Sequence, residues 1–576
     1  MLLAAAAGAQ NLNPTVSVTR AYEGRLPEVH KPMQKMSVPD SLMRFDLDFD
    51  YSVFANPYKG AYDFRPYSLE MKPQAEPYTG RKLYLKAGAG YNLRPSVDFV
   101  WEPQLKADKF RMDVYASHHS YIGKYNGIAA DGSYKLKSSG EKWSGYDMCS
   151  NAGVNGRADL AKASLSFDAG YRGIHTRSAG VSTGYNAAEV SFEAKSENAA
   201  EAYLYYDVTM KYRGASQGLG GEESADLDGI PHSSMEMNDV DFNVTLGPVL
   251  NTHHRIVADF GMGMTWYGGS IRTNAGTAYI TPRYVLSKNR WRLSAGPKFS
   301  FNISDMDSRY AMNTNKGIYI YPDVYIGFEA VRSYMNIYFR AEGGDFRNPY
   351  KDMKEKFHFL LPYAGMSNNS VEHADFAFGF NGNICSRFRY DVKAGFRSYE
   401  AMPFDYVDRF VTDGNETYLS GWDYLDGTAV YSDIRLQWES RDFSLDSRFI
   451  VNDPKLKDHK KTEYVCFDPA MFSGYISGTY NWKRRIFAGV TAEFASRRDG
   501  KLQTVTVPSG DAAGSLSVDD APVPAWVNLV VYAEYAFSRK LSFWLRGDNL
   551  LNMDIQRMPL YTDGGIGVTA GICLNL

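Results

Sequence analysis

The chain has 576 residues, a formal net charge of -3 and 44% hydrophobic residues. This near-neutral charge argues against a dedicated nucleic-acid binder, and no apolar run reaches the roughly 18 residues that a transmembrane helix needs. Aromatic residues make up 14% of the chain and include 42 Tyr, whose apolar ring and polar tip suit a membrane–water interface.

The first residues resemble the end of an export signal. Ala7 and Ala9 take the small-x-small positions that precede a signal-peptide cleavage site. We therefore predict that residues 1–9 are a signal-peptide remnant and that the protein is exported.

Residues 10–81 are rich in proline and hold eight of the chain's 24 prolines. Proline lacks a backbone N–H and rarely sits inside paired strands, so we predict an extended periplasmic or lumenal segment. Within it, Asp46, Asp48 and Asp50 suit either a calcium site or a strand with three acids on one face, and the sequence does not decide between them.

From Leu83 onward, hydrophobicity alternates with a period of two. Between Ala161 and Arg172 the odd positions are apolar or small, whereas most even positions are polar. Side chains alternate across a strand, so one face is apolar and the other polar. Recurrence of this pattern predicts an all-β fold, a transmembrane antiparallel β-barrel of about 22 strands over residues 82–576.

The connections alternate in length. Tight turns are predicted near 156–159, 331–333 and 484–486, and long segments such as 119–141 and 399–427 separate them. A single-chain outer-membrane barrel has short periplasmic turns and long extracellular loops, whereas a soluble sandwich has no reason to segregate loop lengths. The alternation favours a barrel in the cell outer membrane with both termini in the periplasm.

The last segment has the clearest strand pattern. Ile566, Val568 and Ile572 lie on an apolar face, and Thr569 and Asn575 lie on the opposite one. We expect this strand to close the barrel, because lipid does not tolerate an open sheet edge.

The sequence contains few motifs that indicate a metal-binding, catalytic or adhesion site. The neighbouring pairs His118-His119 and His253-His254 face opposite sides of a strand, which opposes a shared metal site. Asp305 and Asp307 pose the same calcium question as the earlier aspartates. The tripeptide Arg546-Gly547-Asp548 lies inside a predicted strand, with Arg546 and Asp548 towards the lumen.

Cys149, Cys385, Cys466 and Cys573 are far apart and suggest neither a zinc site nor a disulfide scaffold. No nucleophile–base motif or phosphate-binding glycine loop is present. We therefore predict no enzyme activity, no catalytic residue and no cofactor or metal site.

Several short motifs resemble the plugless, TonB-dependent-receptor-like outer-membrane barrels of Bacteroidota. They are Phe49-Asp50-Tyr51-Ser52-Val53, Leu83–Gly90, Asn348-Pro349-Tyr350 and Asp548-Asn549-Leu550-Leu551-Asn552. The resemblance spans most of the chain and implies a 22-strand barrel of the receptor type.

The chain departs from transport-active TonB-dependent receptors, which carry a folded plug of well over a hundred residues. Only the proline-rich residues 10–81 stand in that place, so the resemblance implies a barrel without a full plug. The stretch Thr15–Thr19 resembles the box that pairs with TonB by strand addition, and its alternative is an ordinary extended segment.

These observations favour a non-enzymatic outer-membrane barrel that acts as a channel or as a scaffold subunit of an outer-membrane complex. The alternatives are an accessory subunit of the β-barrel assembly machinery and a TonB-dependent transporter with a minimal plug. The expected partners are outer-membrane lipid and other outer-membrane or periplasmic proteins, with TonB as a lesser one. A barrel of this width needs something to fill its lumen, so we expect residues 10–81, inward-folded loops or a partner to occlude it.

Overall fold

The computed structural model describes residues 82–576, apart from 92, 104–108, 131–135, 179–180, 197–203, 221–233, 249–252, 270, 272–273, 305–316, 363–367, 385–386, 413–414, 457–464 and 508–513. The predicted signal remnant (1–9), the extended segment (10–81), Asp305 and Asp307 therefore lie outside the described residues. None of the described residues forms a helix long and apolar enough to cross a membrane.

The described chain consists of 24 strands and one short helix in the following order. The elements are β1 (Leu83–Tyr91), β2 (Ser96–Trp101), β3 (Phe110–Ala130), β4 (Leu136–Asp159), β5 (Ala163–Ser178), β6 (Val181–Ser196), β7 (Leu204–Gly220), β8 (Met235–Pro248), β9 (His254–Gly269), β10 (Asn274–Lys288), β11 (Trp291–Ser304), β12 (Gly317–Val331), β13 (Met335–Arg347), α1 (Tyr350–Lys356), β14 (Asn369–Ile384), β15 (Phe388–Thr412), β16 (Asn415–Glu439), β17 (Phe443–Leu456), β18 (Phe472–Trp482), β19 (Ile486–Ala495), β20 (Lys501–Val507), β21 (Ser515–Asp520), β22 (Trp526–Ala536), β23 (Leu541–Asp548) and β24 (Gly567–Asn575).

Twenty-two of these strands form a closed wall. Each of β1 to β18 pairs antiparallel with the next strand, β19 pairs with β22, and β24 pairs with β1 from Tyr84↔Asn575 to Tyr91↔Val568. Pairing of the first strand with the last leaves the wall without an open edge. The predicted 22-stranded barrel, closed by the terminal strand, is confirmed.

The wall is apolar outside and polar inside, as the alternation predicts. On β9, Ile256 and Phe260 are exposed on the outer face, whereas Asp259 is buried on the inner face beside Arg283 of β10. On β5, Phe167 and Tyr171 point outward and Asp168 inward, where it accepts a hydrogen bond from Tyr115 at 3.2 Å. This outward apolar face is what contact with lipid requires.

The two ends of the barrel differ in their connections. One end, here the tight-turn end, carries the short turns 160–162, 289–290, 332–334, 440–442 and 483–485. The other, here the long-loop end, carries the connections that the sequence predicts as long segments.

Several predicted long loops are strands instead. Residues 119–141 and 399–427 were expected to be irregular, but β3 and β4 extend to Ala130 and from Leu136, and β15 and β16 extend to Thr412 and from Asn415. These strand extensions contact other connections as well as their neighbouring strands. Both of their faces therefore carry polar and aromatic residues, and the alternation of apolar and polar positions is not visible in the sequence there.

A two-stranded addition lies outside the wall, within the segment 496–524 that was predicted as a loop. Strand β20 pairs in parallel with Asp408–Thr412 of β15 and antiparallel with β21. Buried Phe467, Leu502 and Val523 pack between this hairpin and the β15 extension. The long-loop end therefore has a folded rim.

Candidate functional site

The connection between β13 and β14 folds into the lumen at the long-loop end. It contains the seven-residue helix α1, with Pro349 at its N-cap, and its chain turns back at Phe357, whose N–H donates to the Met353 carbonyl. The spacing of Tyr350, Met353 and Lys354 places the three on one face of the helix, and all three are buried. The helix therefore turns one face into the protein although it belongs to a loop.

We call the apolar cluster around this connection the loop core. It joins α1 and its flank to the inner faces of β5–β9, to the extensions of β15 and β16, and to the segment after β23. Its buried members include Ile174, Tyr185, Met235, Met237, Tyr267, Tyr350, Met353, Phe357, Leu360, Ala401, Tyr406, Leu419, Trp422, Tyr424 and Met558. An inward-folded loop therefore packs into the lumen at this end, and its occlusion of the lumen stays a prediction.

Tyr350 is a completely buried side chain of the loop core that makes several hydrogen bonds. Its hydroxyl donates to Gln217 Oε1 at 2.7 Å. Its backbone N–H donates to the Tyr267 hydroxyl at 2.9 Å, while Gln217 Nε2 donates to the Leu360 carbonyl at 3.0 Å. These bonds satisfy polar groups that burial would otherwise leave without water.

Lys354 is a buried cation in the same helix. Its exposed fraction is 0%, and its Nζ donates to Thr183 Oγ1 at 3.2 Å and to the Leu360 carbonyl at 3.0 Å. Burial lowers the pKa of Lys354 to about 7, although the charge of Asp147 acts in the opposite direction. The loop core therefore holds an amine that titrates near neutrality.

Ion pairs fix the loop to the wall at several points. At the base of the loop, Arg347 is the last residue of β13, and its Nη1 lies 2.5 Å from Asp239 Oδ1 of β8 while its Nη2 binds Asp241. Lys351 Nζ lies 3.2 Å from Glu189 Oε1, a carboxylate that also accepts a hydrogen bond from Arg213.

Further along the loop, Arg172 of β5 pairs with Glu355 at 3.2 Å. His358 Nδ1 lies 2.7 Å from Asp147 Oδ1 of β4. The contacts reach strands from β4 to β8, so the loop spans the lumen rather than following one strand.

A second connection, between β23 and β24, meets the first one over the lumen. The ring of Tyr561 lies 4.7 Å from that of Phe357 and 5.6 Å from that of Phe359. Arg557 Nη2 lies 2.6 Å from Glu493 Oε2 of β19 and its Nε lies 3.0 Å from Asp563. The two connections together bridge opposite sides of the barrel.

A cavity of about 770 Å³ lies in the lumen beneath these connections and extends towards the tight-turn end. We call it the lumen cavity. The cations that line it are Lys86, Arg94, Lys356, Arg441, Arg546 and Arg557, and the carboxylates are Asp147, Glu355, Glu439, Asp442, Asp548 and Asp563. Its aromatic lining includes Tyr121, Tyr125, Phe357, Phe359, Tyr532 and Trp544. The charges balance, so the lining favours neither sign of ligand.

The structure separates the histidine pairs. His118 Nδ1 lies 2.8 Å from Ser150 Oγ, whereas His119 Nε2 lies 2.9 Å from Asp98 Oδ1. His253 contacts the Ser287 carbonyl, and its neighbour contacts the Tyr284 hydroxyl. Neither pair converges on one point, and the described part of the chain holds no cluster of three potential metal-binding side chains.

The tripeptide in β23 behaves as its position predicts. Arg546 Nε donates to Asp548 Oδ1 at 2.9 Å, and both side chains line the lumen cavity. In contrast, Asp46, Asp48 and Asp50 lie outside the described residues, so their calcium question stays a prediction.

The residues that sequence reasoning missed are those of the loop core. A single buried face on a seven-residue helix is too short a pattern to identify it within a connection. The Asn348-Pro349-Tyr350 motif was the available signal, because Asn348 Nδ2 donates to the Asn368 carbonyl at 2.8 Å and closes the base of the loop.

No family model and no curated protein matches this sequence. Solved structures with the same fold do exist. The copper transporter OprC is 10% identical, with a TM-score of 0.58 over 86% of this chain and 80% of that one. The FrpB iron transporter from Neisseria meningitidis is 9% identical, with a TM-score of 0.59 over 86% and 81%.

The siderophore receptor PirA from Acinetobacter baumannii is similar to the same degree, at 9% identity and a TM-score of 0.57 over 86% of this chain and 80% of its own. Identities this low show a shared fold, the 22-stranded barrel of outer-membrane transporters and receptors.

Proposed function

We propose that this chain is a non-enzymatic outer-membrane barrel that takes a small solute into the lumen cavity from the long-loop side. The apolar outer face and the shared fold support the membrane location. By analogy with outer-membrane barrels, the tight turns and both ends of the wall, Leu83 and Leu576, lie in the periplasm. The long-loop end then faces the outside.

The lumen cavity is the observation that carries this proposal. At about 770 Å³ it is in the size range of small-molecule sites, and it combines aromatic rings with polar groups. Because its charges balance, the solute class that fits best is a neutral or zwitterionic molecule with an apolar face. Tyr121, Tyr125 and Trp544 offer the ring surfaces for such a face.

The loop core stands between this cavity and the outside. Transport from the long-loop side therefore requires the loop core to move, and the barrel wall can stay intact while it does.

Conductance across planar bilayers tests the proposal. Replacing residues 350–361 by a Gly/Ser linker of equal length should raise single-channel conductance several-fold, because the lumen loses its obstruction. The matched control replaces Ser515–Asp520 of β21, all of whose residues are exposed, and should leave conductance unchanged. Equal conductance of the wild type and the 350–361 variant, with both still showing heat-modifiable migration on gels, would refute a lumenal route.

A second candidate is a scaffold subunit of an outer-membrane complex, such as an accessory subunit of the barrel assembly machinery. This candidate is favoured by the ion pairs of Lys351 and Glu355, which join α1 to β6 and β5 and so hold the loop core in place across the lumen. Recovery of a stoichiometric partner from native membranes, together with unchanged conductance of the 350–361 variant, would favour this candidate over the transporter.

A further inference from the structure

The tight-turn end carries a concentration of exposed positive charge. The described residues of seven tight turns include ten exposed Lys and Arg side chains, which we call the basic ring. Its members are Lys162, Arg290, Arg332, Arg387, Arg441, Lys483, Arg484, Arg485, Arg539 and Lys540, of which Arg441 also lines the mouth of the lumen cavity. Asp442 is the one carboxylate in the described residues of those turns. Nine of the ten members lie in consecutive turns of this end from β10–β11 to β22–β23, and Lys162 lies apart from them in the β4–β5 turn.

A belt of exposed tryptophans lies against the basic ring. Trp101, Trp291, Trp438 and Trp482 occupy strand ends at the same end of the barrel, and their exposed fractions run from 40% to 51%. Lys483 Nζ lies 5.4 Å from the ring centre of its neighbour Trp482. Tryptophan concentrates at the headgroup level of membranes, so the belt places the basic ring at that depth.

The long-loop end lacks this bias in its described connections. There, cations stand beside carboxylates, as in Arg497 with Asp499 at 3.1 Å and Arg557 with Asp563 at 3.0 Å. A general need for solubility therefore does not explain the basic ring, because the opposite rim meets that need with both signs.

We infer that the basic ring binds the phosphate groups of anionic glycerophospholipids in the leaflet that surrounds the tight-turn end. This inference rests on the proposed function, which places that end at the periplasmic surface. Ammonium and guanidinium groups form charge-assisted hydrogen bonds to phosphate oxygens. An acidic protein partner fits less well, because its contact would be one-sided, whereas the ring follows the circumference and lies beside lipid-facing tryptophans.

Brominated lipids test the inference at one place in the ring. The full-length protein is reconstituted in vesicles of phosphatidylcholine containing increasing brominated phosphatidylglycerol, and then in the converse mixture. The difference in fluorescence between the wild type and Trp482→Phe isolates the signal of Trp482. Quenching of that signal gives the association constant of the anionic lipid relative to the zwitterionic one.

We expect Trp482 to report a preference of about fivefold for phosphatidylglycerol, the effect of one cation near an anionic surface. In the background Lys483→Gln/Arg484→Gln/Arg485→Gln the preference should fall towards one. The control Lys483→Arg/Arg484→Lys/Arg485→Lys keeps the charge and should keep the preference. Raising the salt concentration should weaken it, since these charges are exposed.

Equal quenching by both lipids in the wild type, or an unchanged preference in the Gln variant, overturns the inference. Loss of the preference in millimolar inorganic phosphate at constant ionic strength overturns it in favour of a free-phosphate site. Binding of polyglutamate to the wild type but not to the Gln variant, without a lipid preference, assigns the ring to an acidic polypeptide. Failure of brominated phosphatidylcholine to quench any tryptophan instead contradicts the membrane barrel itself.

Discussion

The barrel wall and the loop core lie in the same molecule but are stabilised in different ways. In the wall, each strand pairs with its neighbour through a ladder of backbone pairs, and the outer face can lie against lipid. In the loop core, side chains from one connection reach strands that are distant in sequence, as when Tyr350 contacts Gln217 and His358 contacts Asp147. The wall therefore depends on backbone pairing repeated many times, and the loop core depends on a few specific contacts.

This difference implies that the two regions can be damaged separately. A defect in the wall should abolish the barrel as a whole, whereas a defect in the loop core should open the lumen of an intact barrel. Four experiments test this separation.

The largest effect is expected where the first and last strands meet. A Cβ on Gly571 would collide with the backbone of Ala87 and with the Trp544 ring, so Gly571→Val should destabilise the wall by about 3 kcal/mol or more. Gly478→Val is the matched control, because the nearest atom to its Cβ is 3.8 Å away, in Phe443. Heat-modifiable migration after refolding should be lost in the first variant and kept in the second. The same migration in both variants would contradict the close approach of β1 and β24 at Gly571.

The second effect concerns the loop core alone. Tyr350→Ala removes a completely buried aromatic side chain and should destabilise loop packing by about 3 kcal/mol. Trypsin should then cleave at Lys351, Lys354 or Lys356 while the barrel keeps its heat-modifiable migration. Tyr350→Phe removes only the hydroxyl, which donates to Gln217 at 2.7 Å and to the Leu360 carbonyl at 3.2 Å, at a cost of about 1 kcal/mol, and should be cleaved far less. Joint loss of barrel and loop in Tyr350→Ala would show that the regions are not separable.

The third effect is a pH dependence of the loop core. Because burial lowers the pKa of Lys354 from 10.5 to about 7, loop closure should be least favourable below pH 7 and should strengthen as pH rises towards 10.5. The free energy of local opening, measured by hydrogen exchange of α1 and corrected for intrinsic rates, should rise by up to about 1.4 kcal/mol per pH unit in that window. Lys354→Met should remain closed at pH 7 and lack the rise. If the free energy of local opening in the wild type did not change between pH 7.5 and 10, Lys354 would be solvated rather than buried.

The smallest effect is expected at the His358–Asp147 pair. Both side chains are partly exposed, at 22% and 32%, so Asp147→Asn should weaken loop closure by only about 0.5 kcal/mol. Asp159→Asn is its control, because Asp159 pairs with Arg157 at 2.6 Å at the tight-turn end, far from the loop core. Hydrogen exchange of residues 357–360 should accelerate slightly in the first variant and not in the second; acceleration in both would point to a global loss of stability.

The wall was predictable because its information is local. Alternation at Phe167, Asp168 and Tyr171 reports which face of one strand meets lipid, and it needs no knowledge of the rest of the chain. The terminal strand was predictable for the same reason, although it begins at Gly567 rather than at residue 562.

The long-loop end was less predictable because its residues have several neighbours. On the β15 extension, Val407 is buried although it lies above the regular wall, since Phe467 and Leu502 cover it. Such contacts join segments that are distant in sequence, so a period-two pattern does not show them. The loop core was the hardest part to predict. A lysine in a short polar helix is usually exposed, and only the structure shows that Lys354 is buried.

The seam between β1 and β24 has a consequence for how the chain acquires its shape. Nearly every other wall contact joins a strand to the next one along the chain, which makes hairpins that close over short distances. The pairing of Tyr84 with Asn575 instead joins positions at opposite ends of the described sequence. Contacts of such long range form slowly, so the hairpins should assemble first and leave both edges of the open sheet unpaired until the last strand pairs with the first. During that interval the open sheet is most exposed to aggregation. A folding catalyst would therefore contribute most at this stage.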